Sequence, residues 1–180
     1  MQRLLIIPAR GGSKRIKNKN IKIFYNKPVI YYPLSAAKNS KLFKKIHVST
    51  ESKKINSVVE LLGFKNDFYR DKKLSQDNVG IIEVVNFVIK KYNEKNIFFD
   101  EVWCMYASSS LINKNDLIKI NKSFLKQKNS FLTVSKFPAP IYWAFRKKNN
   151  GKLKPIYPKK LKINSKKFDD FYYDNGCLII

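Results

Sequence analysis

Histidine is nearly absent. His47 is the single one in 180 residues, and one imidazole cannot build a His-rich metal centre. It lies between Ile46 and Val48, so packing in or beside a strand is its expected task. The two cysteines, Cys104 and Cys177, sit in apolar runs. They exclude a disulfide framework and a Cys-based zinc site, and read as small buried hydrophobes. Arginine is scarce as well: Arg3, Arg10, Arg15, Arg70 and Arg146 are all of them. No apolar run approaches the roughly 20 residues that a membrane-spanning helix needs. Arg10 interrupts the short apolar run after Leu4, which leaves no secretory signal pattern. The expected location is the cytoplasm, with no membrane partner. Acidic residues are also few, 13 against 37 basic ones, so the formal charge is +24.

That charge points to an anionic partner: a nucleotide, a nucleic acid or a membrane surface. Most of the excess is lysine, spread from Lys14 to Lys167 together with abundant Asn and Ile. It reads as compositional background rather than as one stripe. Arginine and aromatic residues are not interleaved on any one element, so a nucleic-acid-binding module is disfavoured and no nucleic-acid partner is expected. The few arginines, better readers of phosphate, carry more information. Hydrophobic residues make up 44%, enough for the core of a single domain of this length.

Strands and helices alternate along the chain. Leu4 to Ile7 is a continuous apolar run, as in a strand buried on both faces of a parallel sheet. A helix is expected over 28–38, bent at Pro33. A second strand follows over 46–50. A helix capped by Thr50 or Ser52 runs to Leu62 and stops at Gly63. After a loop over 65–78, Ile81, Val84, Val85, Val88 and Ile89 recur at helical spacing. A third strand over 102–106, a helix over 114–126 and a fourth strand over 131–134 complete the series. The expected fold is α/β: an open, mainly parallel sheet flanked by helices, Rossmann-like. From 136 to about 172 prolines, aromatics and lysines replace this alternation, as in an arm within the one domain. The chain closes on Cys177–Ile180, an apolar run that wants neighbours on both sides, so a C-terminally shortened form is expected.

The strongest signal is Ile6 to Lys22, where a buried strand feeds two glycines and then a cluster of cations and amides. Ligands of open α/β sheets bind beyond the carboxyl ends of the strands. Gly11 and Gly12 let backbone N–H groups approach a phosphate closely. Ser13 adds a hydroxyl donor, and Arg10, Lys14, Arg15 and Lys19 add positive charge. Neither a Walker loop nor Gly-x-Gly-x-x-Gly is present. Residue chemistry alone thus gives a phosphate-binding loop.

The run P-A-R-G-G-S-K-R-I-x-x-K-N-I-K after an N-terminal strand resembles the signature of the acylneuraminate cytidylyltransferase family. Val48–Ser52 is similar to that family's V-S-T-D-D strand end. Arg70 with Leu74, Ser75 and Asp77 is similar to its R-P-x-x-L-a-x-D segment. Tyr106-Ala107-Ser108 resembles the Y-A-T form of the pseudaminic acid branch, and Tyr173–Ile179 resembles its late Y-H-D-A-G-Q-F motif. Ser110, Gly80, Ile81, Asn175 and Cys177 depart from the pattern. The resemblance covers essentially the whole chain and implies a nucleotidyltransferase that joins CTP to a nine-carbon acidic sugar, pseudaminic or sialic in type. The products are a CMP-sugar and pyrophosphate, with Mg²⁺ as cofactor. It implies catalytic roles for Arg10 and Lys19. Nucleotide contacts are implied from Ala9, Arg10, Gly11, Gly12, Ser13, Arg15, Lys19, Asn20, Arg70 and Asp77. Sugar contacts are implied from Tyr106, Ala107 and Ser108, and a metal contact from Asp174. It also implies a homodimer formed through the arm. A catalytically inactive remnant of the family is the alternative.

Overall fold

The computed structural model describes residues 1–127 and 129–180. The strands are β1 (Arg3–Pro8), β2 (Ile23–Phe24), β3 (Lys27–Pro28), β4 (Lys45–Ser49), β5 (Glu101–Met105), β6 (Leu132–Lys136), β7 (Phe145–Lys147), β8 (Leu153–Pro155) and β9 (Tyr172–Ile179). The α-helices are α1 (Tyr31–Ser40), α2 (Lys53–Leu61), α3 (Ile81–Asn93) and α4 (Lys114–Gln127). The chain forms two compact units, Met1–Leu132 with Gly176–Ile180, and Thr133–Asn175.

In the first unit β1 runs parallel to β4 on one side, with Leu5 opposite Ile46 and Ile7 opposite Val48. It runs parallel to β5 on the other, with Leu4 opposite Val102 and Ile6 opposite Cys104. The end of β9 pairs antiparallel with β5, Leu178 opposite Met105. The sheet is therefore mixed and mostly parallel. The unbroken apolar run of β1 has a physical cause. Successive side chains of a strand point to opposite faces, and here both faces are covered. Leu5 and Ile7 join Leu34 of α1, Val59 of α2, Trp103 and Leu117 of α4. Leu4 and Ile6 join Val88 and Tyr92 of α3. All four strand residues are fully buried, each contributing about 1.5–3 kcal/mol of transfer free energy. Three layers result, with the sheet between helices.

The helices follow their sequence signals. The Ser52 hydroxyl accepts from the Ile55 N–H at 3.4 Å and caps α2, and Gly63 leaves the helix at φ +81°. In α3 the residues buried are Val84, Val88 and Tyr92, one turn apart. His47 is buried, stacked at 4.4 Å on Phe68, with its Nδ1 3.2 Å from the Tyr92 hydroxyl.

Two expectations change. The helix expected over 28–38 begins only at Tyr31, because Lys27 and Pro28 pair with Ile23 and Phe24 in a β-hairpin. Its two turn residues, Tyr25 and Asn26, both have positive φ, 48° and 64°, the geometry that suits the twist of a two-residue hairpin. The Tyr32 hydroxyl donates to the carbonyls of Phe24 and Tyr25 and holds that turn. Nor does Pro33 mark an interior bend. It is the third helical residue, where the missing N–H has no intrahelical acceptor to lose.

The second unit contains most of β6, the start of β9 and the hairpin of β7 with β8. Around Tyr142 stand the rings of Tyr157, Phe168 and Phe171, at 5.5, 4.8 and 5.3 Å between centroids. The segment over 136–172, expected as an arm, lies inside this unit.

Candidate nucleotide site

The carboxyl ends of β1 and β5 open onto a cleft of about 520 Å³, wholly within the first unit. Ligand pockets are commonly about 300–1,000 Å³. Parallel strands bring their loops to one end of a sheet, so the cleft lies where the fold class places ligands. One wall is the loop after β1, contributing Arg10, Ser13, Arg15, Lys19 and Asn20. The opposite wall is the segment before α3, with Arg70, Leu74, Gln76, Asp77 and the first turn of α3. Tyr106, just past β5, also lines it.

Eight expected contacts thus share one cleft: Arg10, Ser13, Arg15, Lys19, Asn20, Arg70, Asp77 and Tyr106. The others are placed differently. Ala9 is buried and its N–H is bonded to the Ser49 carbonyl at 2.9 Å, so it anchors the loop to β4. The Gly11 N–H, expected to face phosphate, donates instead to Glu51 Oε1 at 2.7 Å. Ser13, which does line the cleft, has its N–H bonded to the Gly11 carbonyl at 3.0 Å. Ala107 is buried and Ser108 exposed, and neither lines the cleft. Asp174 belongs to the second unit.

Charge in the cleft is arranged in opposed pairs. Asp77 bonds Arg10 at 2.8 Å and Lys14 at 2.5 Å. The hydrogen bond from Lys14, then that from Arg10, holds its carboxyl below the usual carboxylate range. Asn20, a buried amide, donates to the Arg10 carbonyl at 3.0 Å and fixes that turn of the loop.

Arg70 is 5% exposed. Its guanidinium donates to the Ser49 carbonyl at 2.8 Å and the Leu74 carbonyl at 3.3 Å, and lies 3.7 Å from Glu51. Its Nε is buried without a hydrogen-bond partner among the described residues. A buried donor left unpaired costs about 1–3 kcal/mol, and a ligand acceptor in the cleft would relieve that cost. Burial lowers the Arg70 pKa, with Glu51 opposing the shift. Two further residues belong to the site and were not expected there. Glu51 accepts from Gly11 and, at 2.8 Å, from the Ser75 hydroxyl. The sequence signal for both was present, since Glu51 stands in the Val48–Ser52 strand end and Ser75 beside Leu74.

Among the described residues no group of three or more His, Cys, Asp and Glu side chains is assembled. The cleft carboxylate, Asp77, is held by two cations. The described residues therefore do not fit a protein-built Mg²⁺ cage. Among the described residues, too, no helix is long and apolar enough to cross a membrane.

The fold is shared with a solved sugar-activating synthetase. A CMP:2-keto-3-deoxy-manno-octonic acid synthetase solved in complex with CTP matches 99% of this chain and 73% of its own, with a TM-score of 0.69 at 14% identity. The chain belongs to the cytidylyltransferase family, whose model matches residues 4–175. It is 37% identical over 178 residues to a pseudaminic acid cytidylyltransferase of Campylobacter jejuni, covering 98% of this chain and 77% of that one. A CMP-N,N'-diacetyllegionaminic acid synthase of Legionella pneumophila is 35% identical over 109 residues, 61% of this chain and 47% of its own. As a cytidylyltransferase the chain is a CTP-dependent nucleotidyltransferase.

Proposed function

We propose that the chain joins CMP to a nonulosonic acid of the pseudaminic type. A sugar hydroxyl oxygen attacks the α-phosphorus of CTP. The bond to the β-phosphate breaks, pyrophosphate leaves, and the hydroxyl proton goes to solvent or to a neighbouring base. Such transfer depends on positioning and on neutralising charge rather than on a covalent nucleophile. The single observation that carries the reading is the convergence of Arg10, Arg15, Lys19 and Arg70 on one cleft at the strand ends.

In this reading Arg10 and Lys19 hold the triphosphate and neutralise charge as pyrophosphate departs. Asn20 keeps Arg10 in place. The polyphosphate, an anion of higher charge, takes Arg10 and Lys14 from Asp77. Arg70 faces the base, with its unpaired Nε as the donor. Tyr106 borders the sugar side, and similarity to the Campylobacter jejuni protein supports a pseudaminic rather than a sialic substrate. Mg²⁺ bound with CTP would supply further neutralisation of the phosphate charge. The reaction runs in the cytoplasm. The second unit is the dimer contact: Trp143, Phe145 and Ile156 are 37%, 49% and 45% exposed, and grouped exposed apolar side chains mark interfaces.

Thermal unfolding with nucleotides tests the site. CTP at about 100 times its dissociation constant should add about 2.7 kcal/mol to stability. ATP at the same concentration should add far less. Equal protection by both, or by neither, contradicts the assignment.

A further inference from the structure

Both walls of the cleft meet at one carboxylate. Glu51 follows β4, with its side chain 14% exposed. Its Oε1 accepts from the Gly11 N–H at 2.7 Å, on the wall that carries Arg10 and Lys19. Its Oε2 accepts from the Ser75 hydroxyl at 2.8 Å, on the wall that carries Arg70 and Asp77. The Ser75 carbonyl in turn accepts from Arg10 at 3.5 Å. Arg70 stands 3.7 Å from Oε2 and is held by carbonyls on either side of it in sequence, Ser49 and Leu74.

The sequence makes room for this junction. A Cβ at position 11 would lie 3.0 Å from the Ser52 Cβ and 3.2 Å from Glu51 Oε1. Those contacts are tighter than most side-chain carbons make, so a side chain there would push the loop and the Glu51–Ser52 turn apart. Gly11 thus eases approach to the carboxylate behind the loop.

We propose that Glu51 is a positioning residue of the nucleotide cleft, bridging its two walls through the Gly11 N–H and the Ser75 hydroxyl so that Arg10 and Arg70 stand at a fixed separation. This rests on the reading of the cleft as the CTP site. Reach is what the bridge requires. Glutamine has the same length: its carbonyl accepts from Gly11, and its amide donates to Ser75, whose hydroxyl can reverse. Aspartate keeps the charge but is one methylene, about 1.5 Å, shorter, and cannot meet both partners.

The test is steady-state kinetics of wild type, Glu51→Gln, Glu51→Asp, Glu51→Ala and Ser75→Ala, with the melting temperature of each recorded. Glu51→Gln should keep its KM for CTP within about threefold of wild type, while Glu51→Asp and Glu51→Ala raise it at least about tenfold. The KM for the sugar should stay unchanged in all four, at a temperature well below every melting point. Ser75→Ala should raise the KM for CTP about three- to tenfold, and add little when combined with Glu51→Asp. A residue that merely stabilised the fold would move melting temperatures and leave the KM for CTP alone, which would overturn the proposal. So would a wild-type KM in Glu51→Asp combined with a raised one in Glu51→Gln, because charge and not reach would then matter. Isothermal titration of wild type and Arg10→Ala with CTP separates the two layers. If wild type binds and Arg10→Ala does not, a failure among the Glu51 variants falls on Glu51 alone. If wild type does not bind CTP, the site reading falls and the bridge with it.

Discussion

Truncating Arg70 to alanine should damage stability and base selectivity by separable amounts. The side chain is 3% exposed, donates to two carbonyls, Ser49 and Leu74, and lies 3.7 Å from Glu51. Each charged hydrogen bond is worth about 1.5–3 kcal/mol, and an acceptor left buried and unpaired costs about 1–3 kcal/mol. Two such bonds lost, with Glu51 left unbalanced, give about 3–5 kcal/mol, the range found when one member of a buried pair is removed. That is a large part of a typical 5–15 kcal/mol, so urea denaturation should show a strongly lowered midpoint. Arg70→Lys keeps the charge and one carbonyl contact but loses the second and the Nε donor. Its stability loss should be about half. Its affinity for CTP should fall about tenfold, with weak UTP binding unchanged, as read by competition titration. A stability for Arg70→Ala within about 0.5 kcal/mol of wild type would refute the buried tether. An equal loss for CTP and UTP would refute the role at the base.

Arg10→Ala and Lys19→Ala should each weaken CTP about ten- to a hundredfold, since each removes a charge-assisted contact. Lys17→Ala, outside the cleft lining, should bind CTP like wild type in the same titrations. Burial lowers the His47 pKa from 6.5 to about 4, with Asp67 opposing the shift. Below pH 6.5 the unfolded chain takes up a proton that the folded chain refuses, so stability falls as pH falls from about 6.5 to 4, by about 3 kcal/mol in all. About 2 kcal/mol of this should be lost between pH 7 and pH 5 in urea denaturation, and His47→Phe should abolish that component. Association through the second unit predicts a twofold dimer at micromolar concentration, with Trp143 fluorescence shifted to the blue on concentration. A constant monomer mass by sedimentation contradicts it.

Much of the fold was legible because its signals are local. The unbroken apolar run of β1 announced a strand covered on both faces, Ser52 and Gly63 bracketed α2, and the spacing of Val84 and Val88 gave the buried face of α3. The β2–β3 hairpin was not legible. Its turn uses Tyr25 and Asn26 at positive φ in place of glycine, and its support, the Tyr32 hydroxyl, comes from the following helix. The cleft-lining residues of the loop after β1 were readable as candidates because cations and amides crowd one short stretch. The bond from the Gly11 N–H to Glu51 was not legible, since a glycine pair suits phosphate and a protein carboxylate alike. Only the crossing of β4 beside β1 brings Glu51 to it. Glu51 and Ser75, 24 residues apart in sequence, meet through tertiary structure that no local pattern encodes.

The most direct test of the account is a single turnover assay. The 180-residue chain is incubated with CTP, Mg²⁺ and pseudaminic acid, with parallel arms for N,N'-diacetyllegionaminic and N-acetylneuraminic acids, and products are read by mass spectrometry and phosphorus NMR. A CMP-linked sugar and an equal amount of pyrophosphate should form, fastest with pseudaminic acid. A folded chain that binds CTP yet forms no CMP-sugar with any of the three would contradict it.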